Sequence, residues 1–256
     1  MIFSINNISK NFGGLQALNN VTFEVEKGIT ALIGPNGAGK SVLLNIITLL
    51  EKKTSGSIVF EDQRIDDLHP YELISRGVAR TFQICRLFRA LTVLENLVVG
   101  MHSTIQTNIY QSLLRTRPAR VEERENREFA LQILDSVNLV DYADKQAGEL
   151  PGGLQRLVEL ARALVSKPKI LFLDEPAAGL NPQETRLLKD MLNSIRDQEV
   201  AILLVEHDMQ LVMGIAEKVI VLNYGVKIAE GSPDAIGADP VVIEAYLGRR
   251  YAHATS

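Results

Sequence analysis

The stretch that decides the fold is Gly34-Pro35-Asn36-Gly37-Ala38-Gly39-Lys40-Ser41. It fills every fixed position of G-x-x-x-x-G-K-[ST], a phosphate-binding loop. Its surroundings agree. The apolar, β-branched run 29–33 predicts a strand leading in, and the apolar period over 40–50 predicts a helix leading out. Glycines let backbone N–H groups close around phosphate oxygens, Lys40 reaches the outer phosphates, and Ser41 offers an oxygen to Mg²⁺. The helix N-terminus adds a favourable dipole. A Gly-rich turn that matches by chance is the plain alternative, and it leaves the flanking strand and helix unexplained.

Further along, Ile170-Leu171-Phe172-Leu173-Asp174-Glu175 is an apolar strand that ends in two acids. A buried strand ending this way needs a use for the charge. Beside a phosphate loop, Asp174 suits a holder of Mg²⁺, and Glu175 an orienter of the attacking water. Around these two anchors, strands are predicted over 2–5, 21–25 and 57–60, then helices and strands alternate after Pro168: strand 170–173, helix 183–197, strand 200–205, helix 209–216, and strands near 219–222 and 226–229. Such alternation implies an α/β domain with a mainly parallel, covered sheet. The middle of the chain has long helical patterns, clearest over 121–137, and reads as an insertion.

The rest of the composition sets bounds. The chain has 256 residues, 46% of them hydrophobic, enough for a sizeable core without staples. Its 27 Lys plus Arg against 31 Asp plus Glu give a net charge of −4, which gives no support to nucleic acid as a partner. Arg115, Arg117, Arg120, Arg124 and Arg127 alternate with Glu122, Glu123, Glu125 and Glu128, the pattern of a solvated helix face with i,i+4 pairs. The single cysteine, Cys85, forms no intrachain disulfide and fits a reducing compartment. The longest apolar runs are strand-length, so any membrane role must come through a partner.

The order of motifs resembles the ATPases of ABC transporters. Leu150-Pro151-Gly152-Gly153-Leu154-Gln155-Arg156 resembles their signature, Gln83 stands at their Q-loop, and His207 matches their switch histidine. Within the family, Ala79-Arg80-Thr81-Phe82-Gln83, Arg86-Leu87-Phe88, 91–97, Ala177-Ala178-Gly179-Leu180-Asn181-Pro182, Glu206-His207-Asp208-Met209 and the ending Ile243-Glu244-Ala245-Tyr246-Leu247-Gly248 look like branched-chain amino-acid importers. The resemblance covers nearly the whole chain. It implies a P-loop NTPase (RecA-like) core over 1–83 and 167–250, carrying an N-terminal antiparallel β subdomain. A helical subdomain with the signature would occupy 84–166, and a tail 251–256.

The resemblance also implies roles. Phe12 would stack on adenine, although a core Phe near an edge strand is the alternative. Asn36, Gly37, Ala38, Gly39, Lys40, Ser41 and Val42 would hold the phosphates of ATP. Ser41, Gln83 and Asp174 would serve Mg²⁺. Glu175, His207 and Lys40 would be catalytic, His207 bonding the γ-phosphate. Gly152 and Gly153 would bind the nucleotide of a second copy or homologue in a head-to-tail dimer, with Asn181 linking the two sites. Integral membrane permease subunits would dock near Gln83 to Phe88, keeping the chain at the cytoplasmic face of the membrane. One departure stands out: the signature's usual Ser and Gln or Glu are here Pro151 and Leu154, so the hydroxyl expected on the γ-phosphate is missing. Two other readings follow, a soluble non-transport ABC ATPase and a hydrolysis-poor nucleotide switch. A single cassette without a charged linker disfavours the first; Glu175 and His207 disfavour the second.

Overall fold

The computed structural model describes residues 1–81, 87–101 and 116–251, with side chains as far as residue 246. Two sheets organise it. The first is antiparallel, in the order β2 (Leu15–Val25), β1 (Phe3–Phe12), β4 (Ser55–Phe60), β5 (Gln63–Arg64). The second has six strands in the order β10 (Val226–Gly231), β9 (Lys218–Asn223), β3 (Gly28–Ile33), β8 (Ala201–Val205), β7 (Ile170–Asp174), β6 (Val78–Arg80). It is parallel from β9 to β6, with β10 antiparallel at one edge.

Every residue of β3 and β8 is buried, because both faces of this sheet are covered. The strand period of two sorts the side chains. Ile170 and Phe172 of β7 join α1 (Lys40–Ile47) and the antiparallel sheet in one core, where the Phe3 ring meets Phe172 edge-on at 5.2 Å. Leu171 and Leu173 face the other way. They pack with α3 (Val93–Gly100), α4 (Arg117–Ser136), α5 (Gly152–Leu164) and α6 (Pro182–Asp197) in a second continuous core. Here α3 lies against both α4 and α5. The remaining α-helices among the described residues are α2 (Pro70–Ser75), α7 (Met209–Ile215), α8 (Pro233–Ala238) and α9 (Pro240–Tyr251).

The α/β core and the N-terminal antiparallel sheet agree with the sequence reading, and several boundaries differ from it. β1 and β2 are longer than 2–5 and 21–25. Asn7 at φ 51° and register shifts between Ile5 and Ile8 break the alternation that the shorter strands displayed. The helix predicted over 40–50 stops at Ile47, since Leu49 turns to φ 60° while the Thr48 hydroxyl bonds the Leu44 carbonyl at 2.7 Å. Arg124 pairs with Glu128 at 2.7 Å on the exposed face of α4, as the charge pattern predicts.

Candidate functional site

Between β3 and α1, residues Asn36 to Gly39 of the loop line an open cleft of about 540 Å³. It is lined by Phe12, Leu15 and Gln16, by Asn36 through Val42, and by Glu175 and Tyr224. Two glycines are dictated by geometry. A side chain at Gly34 would collide with the Leu222 carbonyl of β9, and Gly39, the N-cap of α1, sits at φ 101°. Ser41 is exposed at the helix start. Lys40 is buried, its Nζ donating to the Gly34 carbonyl at 2.6 Å and the Pro35 carbonyl at 3.2 Å. Burial pulls its pKa below the ordinary lysine range, while Glu175 and Asp174 push it back up. Phe12 is 45% exposed at the end of β1, so it is no core residue and presents a ring to the cleft. The Lys10 ammonium lies 4.6 Å from that ring's centre.

Strand β7 delivers Asp174 and Glu175 to the same end of the sheet, as parallel strands do with their carboxyl ends. Burial raises the Asp174 pKa, and the Arg80 guanidinium, 3.2 Å from Oδ2, lowers it in part. Arg80 also donates to Thr48 at the end of α1 at 2.7 Å. One part-buried guanidinium thus ties the helix that bears Lys40 to the strand that bears Asp174. Glu175 turns out of the strand at φ 48°, its N–H still bonded to the Val205 carbonyl at 2.9 Å. The His207 ring, 58% exposed, has Nδ1 3.8 Å from Glu175 Oε2 and 3.7 Å from Glu206 Oε2.

The signature segment lies elsewhere. Pro151 is the N-cap of α5 at φ −51°, ψ 147°, one residue earlier than the first turn. Gly152 faces open space, Gly153 is buried against the Glu184 carboxylate, and Leu154 is buried. None of them lines the cleft beneath Lys40. Arg156 on α5 donates to the Ala178 carbonyl, which connects this helix to the turn after Glu175. Asn181 caps α6, accepting from the Gln183 and Glu184 N–H groups at 2.9 and 3.0 Å.

Gln83 and Cys85, together with Arg86 and Arg115, lie outside the described residues. Two residues near the site, Arg80 and Glu206, have no role that the sequence alone assigns. Their signal was a charged residue beside a strand of apolar neighbours, legible only when burial is known.

A family profile described as ABC transporter matches residues 18–178, and one described as branched-chain amino acid ATP-binding cassette transporter matches residues 226–252. The chain belongs to the ATP-binding cassettes of ABC transporters. This cassette is 44% identical to the high-affinity branched-chain amino acid transport ATP-binding protein LivG of Escherichia coli (strain K12), over 96% of this chain and 98% of that one. It matches the ADP conformation of an ATP-binding cassette of an ABC transporter with a TM-score of 0.83 at 35% identity, over 96% of this chain and 98% of that one. A dimeric post-hydrolysis cassette bound to ADP and Pi gives a TM-score of 0.74 at 26% identity, over 91% of this chain and 99% of that one. Its fold is therefore that of a P-loop NTPase, and the cassette is a nucleotide-binding transport ATPase.

The Ser41 hydroxyl on the cleft and the Asp174 carboxylate at the end of β7 are oxygens of the kind that Mg²⁺ takes. Among the described residues no three His, Cys, Asp or Glu side chains are grouped to hold a metal. No helix among the described residues is long and apolar enough to cross a membrane.

Proposed function

We propose that this cassette hydrolyses ATP to drive an importer of branched-chain or other hydrophobic amino acids. The observation that carries the mechanism is that Glu175, far along the chain from Lys40 and Ser41, opens onto the same cleft as they do. Phe12 offers its exposed face to adenine. The N–H groups of Asn36 to Val42 and the Lys40 ammonium take the phosphates. Ser41, Gln83 and Asp174 would hold Mg²⁺, which when bound would supply positive charge to the phosphate oxygens. Glu175 orients and polarises a water for in-line attack on the γ-phosphorus, and the leaving group is ADP. His207, beside Glu175, bonds the γ-phosphate.

A second copy or a homologous cassette completes the site head to tail, its Gly152 and Gly153 N–H groups reaching the γ-phosphate from the start of α5. Residues 1–83 and 167–250 then act as the nucleotide-binding core and 84–166 as the helical subdomain that meets the permease. The contact lies between Gln83 and Phe88. Leu87 is half-buried there, and Phe88 is 53% exposed with its backbone pinned by the fully buried Asn96. An exposed aromatic on a fixed backbone suits a partner helix. The cassette works at the cytoplasmic face, peripheral to the membrane through those subunits, and the permease and binding subunits read the cargo. Capture from native membranes with identification of the co-purifying chains tests this: polytopic subunits of an amino-acid importer are expected, and recovery with soluble factors alone would overturn it.

A further inference from the structure

Glu206 is completely buried, at 0% exposure, in the step from β8 to the loop that carries His207. Its two carboxyl oxygens divide between two turns. Oε1 accepts from the Ala177 N–H at 2.8 Å, in the turn that leaves Glu175. Oε2 accepts from the His207 N–H at 3.0 Å, with the Asp208 N–H further off at 3.4 Å. The Glu206 backbone is itself moored to the neighbouring strand, its N–H directed at the Leu32 carbonyl at 3.4 Å. One side chain therefore spans the two segments from which Glu175 and His207 project, and both hydrogen-bond sets need an acceptor.

We infer that Glu206 is a positioning residue for hydrolysis: it fixes the His207 loop against the turn after Glu175, so that the imidazole and the Glu175 carboxylate keep one spacing over the γ-phosphate. Burying a carboxyl group without use is unfavourable, and ordinary turn capping by a surface Ser or Asp would satisfy one turn at a time. Only a two-oxygen acceptor placed between the turns couples them. An amide of the same shape cannot do this. Whichever way it is flipped, its NH₂ group faces an N–H donor and one of the two turns loses its anchor. Asp208 meanwhile caps α7 through its own side chain, bonding the Gln210 and Leu211 N–H groups at 2.9 and 3.0 Å, so the helix start stays held when Glu206 is changed.

The inference rests on the roles given above to His207 and Glu175, and a double-mutant cycle separates the two levels. Glu206→Gln, His207→Ala and the double variant are assayed for kcat and for affinity toward a fluorescent ATP analogue, with thermal melting as the check on folding. Glu206→Gln is expected to lower kcat by about tenfold, with nucleotide affinity within about twofold of the parent, because the phosphate loop is untouched. The double variant is expected to lose less than about twofold beyond His207→Ala alone, because the loop no longer has an imidazole to place. If His207→Ala is impaired and the two losses multiply, the positioning role is overturned while the catalytic site stands. If His207→Ala turns over normally, the role of His207 falls and this inference with it. If Glu206→Gln fails to fold, Glu206→Asp, which withdraws the carboxylate by one methylene, is read by the same two criteria.

Discussion

The Lys40 ammonium is held by two carbonyls of its own loop, and that arrangement sets what its removal does. Lys40→Ala deletes a compact positive charge where phosphate charge concentrates, and leaves the Gly34 and Pro35 carbonyls without that donor. ATP affinity measured by calorimetry should fall at least about tenfold and hydrolysis should vanish; unchanged affinity would refute the phosphate-loop assignment. Pro151 poses the opposite experiment. It sits at the N-cap of α5 with extended backbone, a place where serine is favoured, so Pro151→Ser should leave the melting temperature nearly unchanged. The new hydroxyl adds a donor toward the γ-phosphate of the partner. A hydrogen bond to a charged group is worth about 1.5–3 kcal/mol at most, and only the share realised in the transition state speeds turnover. A several-fold rise in ATPase rate at saturating Mg-ATP, or a tighter ATP-bound dimer, is expected. Equal rates and equal dimer affinity would mean that Gly152 and Gly153 already suffice.

At the scale of elements, the turn before α3 is a rigid platform built from a capping box. The Thr92 hydroxyl accepts from the Glu95 N–H at 3.1 Å, Glu95 returns the bond to the Thr92 N–H at 2.7 Å, and buried Asn96 holds both the N–H and the carbonyl of Phe88. Phe88→Ser should therefore change what the platform binds without unfolding it: co-purification with permease subunits and transport should drop while basal ATPase stays within about twofold. Loss of basal hydrolysis with normal assembly would place the docking surface elsewhere. The same elements mark what sequence reading can reach. The phosphate loop, β3 and β7 were legible because their chemistry is local: fixed glycines, a fixed lysine, an apolar run closed by two acids. The Thr92 to Glu95 box was present in the letters, yet α3 is short and went unplaced. The end of α1 was overrun because Leu49 and Leu50 continue the apolar period, while the break comes from a backbone turn at Leu49 that periodicity does not register. Strand β6 has three residues, too few for a period, and exists because β7 pairs with it. Arg80 and Glu206 acquire meaning only through burial, which is a property of the assembled sheet.

Across the whole molecule, the six-stranded sheet brings Lys40, Ser41 and Glu175 to one cleft and leaves exposed Gly152, with buried Gly153 next to it, outside that cleft. In the proposed head-to-tail pair, each cleft would be completed by Gly152 and Gly153 of the other copy. Blocking hydrolysis while keeping the nucleotide grip isolates this pairing. Glu175→Gln removes the water-polarising carboxylate but leaves the phosphate loop, Ser41 and the start of α5 intact. Sedimentation of Glu175→Gln with saturating ATP and with ADP is the direct measurement. A stable dimer with ATP and a monomer with ADP is the expected result; a variant that stays monomeric with bound ATP would contradict it.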